Sequence, residues 1–182
     1  MLGIVFTEFL EMVDSHFSPA IADEMLERSN LPSGGVYAAT GNYDHREIIA
    51  MVGTLSRLSS VPVDELVQIF GKHLFGQFHQ RYPELFIGIH HALDFLEGIE
   101  EHIHTEVLKL YPQAELPRFS CERLAPNQLV MNYSSTRPFS NLAYGLIQGC
   151  SALFEEPLDI ECENLSVPEE HRVRFTLTRR QS

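Results

Sequence analysis

The chain of 182 residues carries 25 acidic and 13 basic side chains, a formal charge of -12, with 44% hydrophobic and 21% charged residues. That length suits one domain able to bury roughly 70% of its unfolded surface, and the composition has neither a collagen-like nor a disordered bias. So much negative charge opposes a phosphate backbone or an anionic bilayer, so we expect no nucleic acid and no membrane, and look for a protein or small-molecule partner.

The first two thirds of the chain read at helical period. Ile4 to Val13 is a helix with an apolar face, and Ile21 to Leu26 continues from Pro19, which suits a first helical turn. Leu31 to Asp44, with Pro32, Gly34, Gly35 and Gly41, is a loop, after which His45 to Leu58 is helical again. Another helix starts at Asp64, after Pro62, and runs to a break near Pro83, with Leu66, Ile69, Phe70, Leu74 and Phe78 at steps of three and four. Leu85 to Leu110 is expected to be the longest helix, stopped by Tyr111-Pro112 and facing its core with Leu96, Ile99, Ile103, Val107 and Leu110.

Beyond it the period falls to 2. PRFSCERL and QLVMNYSS form a hairpin around APN, Asn141 to Phe154 is a helix, and PLDIECENL pairs with RVRFTLTRR around SVPEEH. Helices followed by hairpin, helix and hairpin predict an α+β domain, its helical N-terminal part packed on a C-terminal antiparallel sheet. We read one domain over 1–182, with a helical subdomain to about residue 60 and the remainder over 61–182.

Cys121, Cys150 and Cys162 are spaced by 29 and 12 residues, which fits neither a disulfide framework nor a zinc ribbon, and a reducing cytoplasm is the natural setting. The N-terminus lacks a basic signal region, and no apolar run nears the ~20 residues of a membrane span. Among the nine histidines, His16, His45, His73, His79 and His171 have no ligand-like partner, and adjacent His90 and His91 point apart on a helix. His102 and His104 cannot share an ion on a helix either. One turn on, His104 meets Val107 and Leu108 whereas His102 meets Thr105 and Glu106, so His104 faces the apolar side. A core histidine fits that position, and so does the single axial imidazole a haem iron requires. At the end of its strand, period 2 puts Tyr133, Ser135 and Arg137 on one face, a set suited to carboxylates, although a solvated strand end with a local ion pair also fits.

Taken together, His104, the following TEVLKLYPQAELPRF, the Tyr133, Ser135, Arg137 triplet and the helix NLAYGLIQG resemble the haem nitric oxide/oxygen binding (H-NOX) family. The resemblance spans nearly the whole chain from MLGIVFTEFLEMV onward. It implies a haem pocket between helices and sheet, holding heme b (iron protoporphyrin IX). The family histidine seven residues before the Tyr-Pro position, the proximal iron ligand, falls on His104. The Tyr-x-Ser-x-Arg motif that binds the haem propionates falls on Tyr133, Ser135 and Arg137, and the proline that presses on the haem falls on Pro117.

The chain departs from oxygen-binding members at the distal tyrosine five residues after the motif arginine, which here is Leu142, with Phe9 and Leu74 at the other pocket positions. Bound oxygen gains from a hydrogen-bond donor, worth roughly 1.5 to 3 kcal/mol to a charged group, whereas NO does not need one. The resemblance therefore implies a cytoplasmic, non-catalytic NO sensor without zinc, in which NO at a five-coordinate ferrous haem releases the proximal histidine. Its output passes to a separate histidine kinase or cyclic-di-GMP enzyme. Two rivals stay open: a haem enzyme acting on peroxide or NO, and an apolar small-molecule binder without haem.

Overall fold

The computed structural model describes residues 1–180. Helix α1 (Gly3–His16) has no side-chain cap at its start, and the loop through residues 38–41 takes over that role. The Gly3 and Ile4 N–H groups donate to the carbonyls of Gly41 at 2.8 Å and Ala39 at 2.9 Å. The approach is so close that a Cβ on Gly3 would lie 1.9 Å from the Ala38 carbonyl oxygen. Helix α2 (Pro19–Arg28) begins with Ser18 accepting from the Ile21 N–H and with proline at the first position, and α3 (His45–Ser59) is capped by Asp44. Helix α4 (Val63–Arg81) follows Pro62 with Asp64 and Glu65 in its first turn, where acids favour the helix dipole.

The span expected as one long helix is broken. A 3₁₀ turn (Pro83–Phe86) precedes Gly88, whose φ of +80° leaves the helical region. Then come α5 (Ala92–Glu97), a π-helical turn (Ile99–His104) and α6 (Thr105–Leu110). Gly98 separates α5 from the π turn, and wider i→i+5 bonding shifts everything after it around the axis. Leu96 and Ile103 are buried as expected, but Leu110 is 54% exposed.

Strands β1 (Arg118–Ala125) and β2 (Gln128–Ser135) form the first hairpin, α7 (Ser140–Leu153) follows, and β3 (Leu158–Asn164) with β4 (His171–Arg179) forms the second. The four strands make one antiparallel sheet in the order β1-β2-β4-β3, with Tyr133 opposite Val173 on β4 and Phe119 on β1. The architecture is therefore α+β, a helical N-terminal part plus an antiparallel sheet.

Two apolar cores meet along α4. One joins α1, α2, α3 and the first half of α4 through Phe6, Met12, Met51, Leu55 and Phe70. The other joins the sheet to α5, α7 and Phe75 of α4. Helices α4 and α7 cross at backbone contact: a Cβ on Gly71 would meet the Leu142 carbonyl oxygen at 2.4 Å, and one on Gly145 would meet that of Gln68 at 2.1 Å. No helix among the described residues is long and apolar enough to cross a membrane.

Candidate ligand cavity

Where the two cores meet, the chain forms a mostly apolar cavity of about 290 Å³, close to the ~300 Å³ lower end of ordinary small-molecule sites. His104, Pro117, Tyr133, Ser135, Arg137, Leu74 and Leu142 all line it. These residues come from α4, α7, the π turn, the segment before β1, the end of β2 and, for Arg137, the connection from β2 to α7.

Phe9 is the exception. Its ring is fully buried in the helical core and packs edge-on against Phe70, with centroids 5.2 Å apart. Helix α1 carries apolar residues both toward the helical core and toward the cavity, so its sequence does not tell the two apart. Ile4 and Val5 are its apolar contributions to the cavity lining, and Phe78 joins them from α4.

His104 ends the π turn, and 13% of its side chain is exposed, while His102 faces solvent. Its ring lies 5.8 Å from that of Phe119, and its Nδ1 is 3.1 Å from Glu100 Oε2. A carboxylate only accepts, so Nδ1 carries the proton and the lone pair resides on Nε2. Burial lowers the imidazole's pKa below its ordinary value, with Glu100 opposing the shift. A neutral imidazole with a free Nε2 is a metal ligand in its binding form.

The triplet is ordered by its own backbone. Tyr133 is 2% exposed and donates from its hydroxyl to the Arg137 carbonyl at 3.3 Å, while the Arg137 N–H donates to Ser135 Oγ at 3.1 Å. Burial raises the phenol's pKa, with Ser135 opposing, so Tyr133 stays a neutral donor. The Arg137 guanidinium pairs with the carboxylate of Glu115, a side chain 71% exposed at the cavity's edge. That carboxylate stands in for any carboxylate a ligand would bring to Arg137.

Other polar groups around the cavity are paired over long sequence distances that periodicity does not reveal. Glu8, 2% exposed, holds Arg81, and the hydroxyls of Tyr82 and Tyr111 meet at 3.0 Å. Burial and that bond push the Tyr82 phenol up to about 12. Gln77 also lines the cavity. No cluster of three histidine, cysteine, aspartate or glutamate side chains able to hold a metal ion occurs among the described residues.

A family model described as Haem-NO-binding matches residues 2–162. The chain is similar in structure to the Fe(II) unliganded H-NOX protein from K. algicida, at 33% identity and a TM-score of 0.93, covering 100% of this chain and 98% of that one. It is similar to the H-NOX from Shewanella woodyi, bound to IWP-051 in its Fe(II)CO state, at 42% identity and a TM-score of 0.83, covering 99% and 95%. A mutant of the T. tengcongensis H-NOX shares the fold at 21% identity and a TM-score of 0.89, covering 100% and 98%.

Proposed function

This chain belongs to the Haem-NO-binding (H-NOX) family of haem-based gas sensors, and from that premise we propose that it is a cytoplasmic nitric oxide sensor built on one b-type haem. The observation that carries the reading is that His104, Pro117, Tyr133, Ser135 and Arg137 line a single apolar cavity. The residues present fit the group: one imidazole with a free Nε2, apolar walls, and a guanidinium already holding a carboxylate. A ferrous haem bound there supplies an open coordination position for a diatomic gas.

His104 Nε2 would be the protein's bond to the iron. Tyr133, Ser135 and Arg137 would hold propionates by neutral and charge-assisted hydrogen bonds, and Pro117 would press on the ring. Leu74 and Leu142, with Ile4, Val5 and Phe78 beside them, offer no donor. Arg81 is committed to Glu8 and Tyr82 to Tyr111. This favours NO, which binds without a donor, over oxygen, which gains from one.

Were NO binding to weaken the bond to His104, its release would free the π turn and α6 and let the helical subdomain to about residue 60 shift against the sheet, within one domain read over 1–182. The signal would then pass to a separate histidine kinase or cyclic-di-GMP enzyme, for which the net charge of -12 supplies a basis of selection. Free cysteines at 121, 150 and 162 accord with a reducing cytoplasm.

Absorption spectra of the ferrous protein test the gas preference. In air the spectrum should remain that of unligated five-coordinate iron, and added NO should convert it to the form in which His104 has left. A stable oxygen complex would overturn the preference, and its loss in Gln77→Leu would name the missed donor.

A further inference from the structure

Glu100 stands four residues before His104, and one of its oxygens serves two partners. Oε2 accepts from His104 Nδ1 at 3.1 Å and from the backbone N–H of Phe119 at 3.0 Å. Phe119 is the second residue of β1, two beyond Pro117. A solvated helical ion pair would need only the first bond. The second fastens the carboxylate to the sheet, so the ring, the π turn and the start of β1 converge on one atom.

Two chemical consequences follow. Because the acceptor cannot donate, the Nδ1 proton is fixed in place and Nε2 is left as the ligand atom, its direction set by a carboxylate that is itself held. A charged acceptor also draws the Nδ1 proton toward itself, which raises electron density on Nε2 and strengthens its donation to a metal. Glu101, the adjacent acid, is exposed, and no hydrogen bond joins it to His104 among the described residues.

We infer that Glu100 is the positioning residue for the iron ligand: it fixes the tautomer and aim of His104, strengthens the bond to iron, and ties that bond to β1. The inference rests on the reading of His104 as ligand and names what tunes it. Its reach is specific, since a change at Glu100 alters the iron–histidine bond without touching the gas-facing wall at Leu74 and Leu142.

Resonance Raman spectroscopy of the ferrous haem protein tests it through the iron–histidine stretching band. The band should lie highest in wild type, lower in Glu100→Gln, which keeps an acceptor for Phe119 but loses the charge, and lowest in Glu100→Ala. Glu101→Gln, with the same change in net charge, should match wild type. Outer partners of this kind change metal affinity by roughly 10- to 100-fold, so NO should release His104 about tenfold faster in Glu100→Ala. If the band is present in wild type and lost in His104→Gly, yet unmoved in both Glu100 variants, Glu100 has no such role and the inference fails alone. If the band survives His104→Gly, the ligand assignment itself is wrong and the inference falls with it.

Discussion

The two sides of the cavity are held by different means. Leu74 and Leu142 sit on α4 and α7, long helices whose glycines bring backbone against backbone, with a hypothetical Gly145 Cβ only 2.1 Å from the Gln68 carbonyl oxygen. His104 sits between short segments, a π turn and the six-residue α6. Glu100 ties it to Phe119, and Tyr82 holds the end of α6 through Tyr111. Close-packed backbone yields all at once or not at all, whereas hydrogen bonds worth about 1 to 3 kcal/mol each can be released singly. Ligand-driven movement should therefore begin on the His104 side, while the α4–α7 crossing behind Leu74 and Leu142 stays intact as the helical subdomain shifts against the sheet.

The strongest way to break that comparison is Gly145→Val. The crossing has no side chain that can give, so the cost should be on the order of 3 kcal/mol, read as a lower urea midpoint. Gly76, also in α4, has open space where a Cβ would stand, with nothing within 4 Å, so Gly76→Ala should stabilise by up to about 1 kcal/mol through helix propensity. Equal midpoints for the two variants would show that the crossing is not a clamp.

Next in size is the carboxylate end of the cavity. Arg137→Ala should speed haem transfer to a scavenger protein roughly 10- to 100-fold, the worth of one charge-assisted bond. Ser135→Ala should do less, because its hydroxyl is shared with the Arg137 N–H. Equal transfer rates for wild type and Arg137→Ala would remove the triplet from the binding site.

A smaller effect is expected on the fixed side. Leu142→Tyr adds a donor to a wall of Leu74, Phe78, Ile4 and Val5, none of which can orient it. Oxygen dissociation should slow by about tenfold, the lower end of what such a bond supplies. A change confined to the iron–histidine band, with oxygen release untouched, would place Leu142 on the wrong side of the ring.

The same contrast governs what the sequence reveals. Helices α1 to α4, α7 and both hairpins follow directly from periodicity, because each packs one regular face on a neighbour. The segment from Leu85 to Leu110 misleads, since its apolar spacing satisfies a helix while Gly88 and the π turn interrupt one. Phe9 misleads for another reason: α1 is apolar on several faces, and only the fold assigns that ring to Phe70. The Glu8–Arg81 and Tyr82–Tyr111 pairs join residues 73 and 29 apart, beyond any local pattern. Glu100 is legible in principle, as an acid one turn before His104, but the bond to Phe119 that distinguishes it is tertiary.

The central claim, that this cavity holds haem through His104, is tested most directly by the absorption spectrum of His104→Gly beside wild type and His102→Ala. Wild type and His102→Ala should show the same Soret band of five-coordinate ferrous haem. His104→Gly should lose haem, or keep it only when imidazole is supplied to replace the missing ring. An unchanged five-coordinate spectrum in His104→Gly, or no Soret band in wild-type protein expressed with ample haem, would contradict the account.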